Sequence, residues 1–177
     1  MGRNLGQSLD ERLLRAARTW GHSPKRDMAV ERFSKLGERG AVWIAIGAVG
    51  YALDEPGRPQ WRRAIGTVMG TYALNTAIKL VVRRRRPQLP GLPPLTDTPT
   101  QLSFPSAHAS TSFAGALVYT RLGLPAVPLY ALAKGLAVSR LYLGVHYPSD
   151  VIAGALLGTA VAAFASEPSI DRGRQAR

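Results

Sequence analysis

Apolar and polar positions along this chain are gathered into blocks rather than interleaved. The stretches 40–53, 64–82, 104–120, 122–139 and 151–166 hold 84 residues between them and only two charges, Lys79 and Lys134. The other 32 of its 34 charged side chains fall in the remaining 93 residues. A helix at a water-facing surface carries a polar stripe opposite its apolar one. Val151 to Ala165 (VIAGALLGTAVAAFA) and Ala41 to Leu53 (AVWIAIGAVGYAL) carry none. A chain of 177 residues is too small to bury five such segments away from water. The pattern therefore predicts an all-α integral membrane helical bundle of about five transmembrane helices.

The spans are expected over 40–53, 64–82, 107–120, 126–139 and 149–166. A span takes about 20 predominantly apolar residues, so these shorter cores must recruit polar flanks or tilt little. Small residues four apart, Gly66 with Gly70 and Gly154 with Gly158 and Ala162, predict close packing between helices. Residues 1–39 are basic and polar. There Ser8 is expected to cap a helix, with Glu11 at the capping-box position. Leu9, Leu13, Ala16, Ala17 and Trp20 share one face of that helix, away from Arg12, Arg15 and Arg18. This reads as an interfacial amphipathic helix, since no apolar run follows the charges as in a signal peptide. A soluble surface helix fits the same pattern. Three parts are expected: a basic N-terminal segment over 1–39, a transmembrane domain over 40–166 and a polar tail over 167–177.

Composition narrows the chemistry. There is no cysteine, which excludes a disulfide framework, a thiolate metal site and a cysteine nucleophile. A formal net charge of +12 suits either a nucleic-acid binder or a protein on anionic lipid. Nucleic-acid binding needs its cations on a polar face interleaved with aromatics, whereas several of these cations abut apolar spans. Membrane is therefore the expected partner, and nucleic acid is not.

Candidate chemistry gathers beside the spans. His108 follows Ser103-Phe104-Pro105-Ser106-Ala107, and Ser139-Arg140 precede His146 and Asp150. Upstream, Lys79 lies in the last apolar turns of span two, seven residues before Arg86-Pro87. Alone, Lys79 would read as a snorkelling anchor. It is not alone, because the two helices between His108 and Arg140 form a hairpin that returns the chain to the same membrane side. Lys79, Arg86 and Arg140 could neutralise a phosphate dianion. Ser106 and backbone N–H groups at the helix start add donors where the dipole favours an anion. Asp150 lies four residues after His146, placed to hold one ring nitrogen while the other attacks.

These three segments resemble the signature of the type 2 phosphatidic acid phosphatase (PAP2) superfamily, which includes bacterial acid phosphatases and vanadium haloperoxidases. Its Lys-x6-Arg-Pro, Pro-Ser-Gly-His and Ser-Arg-x5-His-x3-Asp elements match Lys79 to Pro87, Pro105 to His108, and Ser139 to Asp150. Ala107 stands where the family usually has Gly. The resemblance implies a PAP2/haloperoxidase-like core and a metal-independent phosphatase with no cofactor. It makes His146 the nucleophile that forms a phosphohistidine, Asp150 its orienter, and His108 the acid and then base. Lys79, Arg86, Ser106, the Ala107 N–H and Arg140 would bind the phosphoryl oxygens, with Ser139 supporting. Arg83 to Arg85 are expected to form a membrane-surface cluster. Asp97 and His22 are expected as exposed loop groups, and Trp43, Trp61, Tyr142 and Tyr147 as core or interfacial aromatics.

The apolar segments favour the lipid phosphatase branch. Short actinobacterial members share the Leu102-Ser-Phe-Pro-Ser-Ala-His108 stretch, and one such group acts on decaprenylphosphoryl-5-phosphoribose, a cell-wall arabinan precursor. That lipid is the leading expected substrate; phosphatidylglycerophosphate, phosphatidate and polyprenyl diphosphate are alternatives. A non-catalytic basic membrane scaffold is the alternative of a different class, and it should have lost His108, Arg140, His146 or Asp150. With five crossings the N-terminal segment, which has nine Lys and Arg before Gly40, shares the active-site side with Arg83 to Arg86. The positive-inside rule then places the active site of a multi-pass plasma (inner) membrane protein in the cytoplasm. The oligomeric state is not readable from the sequence.

Overall fold

The computed structural model describes residues 5–165, and every regular element in it is helical. In chain order these are α1 (Leu5–Thr19), α2 (Pro24–Lys35), a 3-10 turn at Glu38–Gly40, α3 (Ala41–Leu53), α4 (Arg58–Val82), α5 (Ala107–Arg121), α6 (Ala126–Tyr142) and α7 (Pro148–Ala165). The tail expected over 167–177 lies outside the described residues.

The N-terminal segment departs most from expectation. The first helix already begins at Leu5, so Ser8 lies inside it and is not its cap. The chain then breaks at Gly21, in the left-handed region at φ 72°. A second helix follows that the apolar pattern did not reveal. Its signal was local: Ser23 accepts from the Arg26 N–H at 3.4 Å, and Pro24 occupies the first turn, where a missing N–H costs nothing.

Helix α5 is the centre of the bundle, packed against α3, α4, α6 and α7. Its small side chains permit this position, and several of its hydroxyls are paired. Ser110 and Thr111 donate back to the carbonyls of Ser106 and Ala107, both at 2.9 Å, and Ser112 accepts from the Trp43 indole at 3.0 Å. At the opposite end Trp43 and Trp61 both stack on Tyr119 in a buried apolar cluster.

Gly154 and Gly158 let α7 approach α5 closely, since a Cβ at either would collide with the carbonyl oxygen of Ser106 or Ser110. Gly66 and Gly70 do not serve as expected. Both face outward into open space, because the buried stripe of α4 runs through Ala64, Val68, Thr71 and Asn75 instead.

Two helices, α4 at 25 residues and α7 at 18, are long and apolar enough to cross a membrane. Helices α3, α5 and α6 have 13, 15 and 17 residues. At 1.5 Å per residue they fall short of a hydrocarbon core about 30 Å thick. Large apolar side chains nevertheless line the outside of the bundle, among them Val49, Leu80, Val127, Ile152, Leu156 and Phe164.

Candidate active site

Four helix ends meet at one pole of the bundle: the last turns of α4 and α6 and the first turns of α5 and α7. They surround a cavity of about 180 Å³ whose wall includes Lys79, Arg86, Ala107, His108, Arg140 and His146. These side chains come from segments up to 67 residues apart in the chain, from Lys79 to His146.

Each cation is held in its own way. The Lys79 ammonium donates to the carbonyls of Leu102, Ser103 and Pro105 at 3.3, 3.1 and 2.8 Å. All three of its protons thus bind the segment leading into α5, and it faces the cavity mainly as a charge. Arg86 donates to the carbonyls of Thr100 and Val145, at 2.8 and 2.7 Å, and to His146 Nε2 at 3.1 Å. Burial lowers the Arg86 pKa to about 10, an effect countered by Asp150, so the guanidinium stays charged at neutral pH. Arg140 donates to the Ser34 hydroxyl at 2.7 Å, while its buried Nε has no hydrogen-bond partner among the described residues.

The contact with Arg86 decides the state of His146. Arginine has only donors, so Nε2 must be the acceptor and carry the lone pair. The proton then belongs on Nδ1, which lies 3.5 Å from Asp150 Oδ2. Burial first, then the positive charges of Arg86, Lys79 and Arg140, push the His146 pKa well below its ordinary value. A neutral imidazole with Nε2 unprotonated is the form able to attack. His108 places Nε2 3.0 Å from the Ser34 carbonyl, so that nitrogen is the protonated one.

Ser106 and Ala107 sit at the start of α5. The buried Ser106 hydroxyl caps the helix, accepting from the Ala109 N–H at 3.5 Å, and does not line the cavity. Ala107 is on that wall, in a helical conformation with negative φ. Replacing the family's usual Gly therefore strains nothing here.

Residues 60–169 match the family model described as the PAP2 superfamily. The chain belongs to the PAP2 superfamily. It is 41% identical over 143 residues to a decaprenylphosphoryl-5-phosphoribose phosphatase of Mycobacterium tuberculosis, an alignment covering 80% of this chain and 78% of that protein. Among solved structures it resembles Aquifex aeolicus LpxE, with a TM-score of 0.76 and 26% identity over 89% of this chain and 94% of that one. The fold is also that of a transmembrane PAP2 type phosphatidylglycerolphosphate phosphatase from Bacillus subtilis, at TM-score 0.79 and 24% identity, covering 97% and 90%.

Around this PAP2 site stand residues that no motif flagged. Arg84 is not part of a surface cluster. It donates to Asp150 Oδ1 at 2.8 Å, to the Ser149 hydroxyl at 2.7 Å and to Asp10 Oδ2 at 2.8 Å, and it lies over the Tyr147 ring. Asp10, from α1, also accepts from the backbone N–H of Ser149 at 3.0 Å. Burial works to raise the Asp10 pKa, but the bonds from Arg84 and Ser149 hold it below the ordinary value. The signal for Arg84 was the chain's own alternation. Past the left-handed Arg83 that ends α4, Arg85 is exposed while Arg84 and Arg86 turn inward, the alternation of an extended segment. Ser34 and Asp10 had no such signal. His22 is also not an exposed loop group: it is half-buried, stacked on Tyr142 and 2.9 Å from Asp27. Asp97 is exposed, and it lines the cavity mouth.

Removing Arg84 leaves the fully buried Asp150 carboxylate without its cation and free to turn away from His146. Arg84→Gln should lower kcat on the order of 100-fold, the scale of an ångström's misplacement of a reacting group. KM should change little, because Arg84 does not line the cavity. Steady-state kinetics in detergent check this; wild-type kcat in the variant would show that Arg84 does not hold Asp150 for catalysis.

Proposed function

We propose that this chain is a membrane lipid phosphatase that hydrolyses the terminal phosphomonoester of a lipid-linked substrate through a phosphohistidine at His146. The observation that carries this is the contact of Arg86 with His146 Nε2 at 3.1 Å, which requires that ring nitrogen to be unprotonated on the wall of a cavity lined by cations. His146 Nε2 attacks phosphorus as the bond to the leaving oxygen breaks, and His108, entering as the imidazolium with its Nε2–H held by the Ser34 carbonyl, gives the proton of its other ring nitrogen to that oxygen. His108 then takes a proton from water, which attacks the phosphohistidine and releases inorganic phosphate. Arg86, Arg140 and the Ala107 N–H hold the phosphoryl oxygens, with Lys79 adding charge and Ser106 fixing the helix N-terminus. Asp150 keeps the proton on Nδ1 and stabilises the charge that develops on the ring. The fixed cations supply the charge neutralisation that a metal provides elsewhere, so no metal is needed.

The similarity to decaprenylphosphoryl-5-phosphoribose phosphatases supports that lipid, in cell-wall arabinan precursor synthesis, as the substrate. Five crossings by α3 to α7 complete the bundle. The short helices α3, α5 and α6 reach the interfaces through their polar flanks, within a multi-pass plasma membrane protein. The basic segment over 1–39 lies along the interface on the active-site side, ahead of the catalytic domain over 40–166. Nine Lys and Arg before Gly40, together with Arg83 to Arg86, put that side in the cytoplasm.

Phosphate release from decaprenylphosphoryl-5-phosphoribose should persist in EDTA and vanish in His146→Ala. It should also continue below pH 6.5, because the lowered pKa keeps His146 neutral until the pH falls through that lower value. Dependence on a divalent metal, or activity surviving in His146→Ala, would contradict the mechanism. Reporter fusions within Pro94 to Thr100 should report a cytoplasmic location; an external signal would reverse the topology.

A further inference from the structure

The inner and outer walls of the active-site cavity differ in kind. Inside, Lys79, Arg86 and Arg140 are all anchored by hydrogen bonds to the protein. The outer wall includes Glu38, Arg39, Tyr72 and Thr76, with Asp97 and Thr100 beside them. Arg39 is exposed, and its guanidinium has no hydrogen-bond or ion-pair partner among the described residues.

The backbone at Arg39 adds a second observation. Its φ of 52° and ψ of 18° place it in the left-handed region, and Gly40 follows at φ 77°. The turn between α2 and α3 needs that conformation, which glycine adopts freely and arginine does not. Arg83 has the same φ of 52°, but of the two strained arginines it is Arg39 that lines the cavity. What arginine has there and glycine lacks is a cation aimed at the same space as the reacting phosphate.

We propose that Arg39 binds a second anionic group of the substrate, a phosphodiester separated from the reacting phosphate by a polyhydroxylated unit. This rests on the reading that a terminal phosphomonoester reacts at His146. The rim between the two sites suits a sugar: Tyr72 and Thr76 bear hydroxyls, and Glu38 and Asp97 accept from hydroxyl groups. Those two carboxylates would repel a phosphodiester without a cation beside them, and Arg39 is the cation on that wall. A diacylglycerol phosphate has no anion at this position, whereas a lipid-phosphoryl sugar phosphate does. Arg39 is thus a specificity-determining residue for lipids that carry a phosphodiester one polyol unit away from the reacting phosphate.

The test exploits the strain. Arg39→Gly removes the cation while giving the turn its preferred residue, so its melting temperature in detergent should be no lower than wild type. Arg39→Lys keeps the charge. With decaprenylphosphoryl-5-phosphoribose, KM should rise about tenfold or more in Arg39→Gly, the scale of one lost charge-assisted contact. Arg39→Lys should recover most of it. The ratio of kcat/KM for that lipid to kcat/KM for p-nitrophenyl phosphate, which carries only the reacting phosphate, should fall by a similar factor. An unchanged ratio in Arg39→Gly, or an equal loss on both substrates from a general contact with bilayer headgroups, would overturn the proposal. If wild type hydrolyses the lipid and only the Arg39 effect is missing, the catalytic reading stands and this inference alone falls. If wild type releases phosphate from neither substrate, both fall.

Discussion

Asp150 has no exposed surface, and a buried carboxylate keeps its charge only against a well-placed cation and good hydrogen bonds. Arg84 supplies the cation at 2.8 Å, and the Tyr147 N–H donates to the other oxygen, also at 2.8 Å. That pairing orders much of the pole around it. It pins the first turn of α7, fixes the extended chain after α4, and through Asp10 draws α1 against Ser149. It also keeps negative charge beside His146 Nδ1, on the side opposite the cation that reads Nε2. With the carboxylate free, three buried positive charges would face the imidazole without a counterweight.

The N-terminal segment is therefore part of the site's support rather than an appendage. Asp10 reaches it from α1 and Ser34 from α2, where the Ser34 hydroxyl accepts from Arg140 and its carbonyl from His108. Arg18 ties the same layer to the loops by donating to the carbonyls of Pro93 and Tyr142, at 2.6 and 3.1 Å. Exposed Leu9, Leu13 and Trp20 leave α1 an apolar face of the kind that lies in a membrane interface.

How much of this could be read from residues alone depended on spacing. Lys79, Arg86, His108, Arg140, His146 and Asp150 stand at fixed intervals beside apolar helices, and hairpin topology brings such helix ends together. Asp10 and Ser34 act through tertiary contacts between segments of unrelated spacing, so no periodicity exposes them. Arg84 was masked by its neighbours, since four successive arginines look like surface charge until the chain's alternation separates them. Gly66 and Gly70 illustrate the reverse problem. Their spacing equals that of Gly154 and Gly158, but only the second pair faces a neighbouring helix. Charge depletion marked the apolar segments well, while helix length falls below a full span in α3, α5 and α6.

We propose that Nε2 of His146 takes the phosphoryl group. The most direct test of this is rapid mixing of the His108→Ala variant with p-nitrophenyl phosphate, whose leaving group departs without a general acid, followed by denaturation in alkali and mass spectrometry of the peptide spanning Leu141 to Ile152. Loss of His108 should slow the hydrolytic step enough for an acid-labile phosphoryl group to accumulate on His146. Phosphate carried on another residue, or release of phosphate with no labelled enzyme at any time while turnover continues, would contradict it.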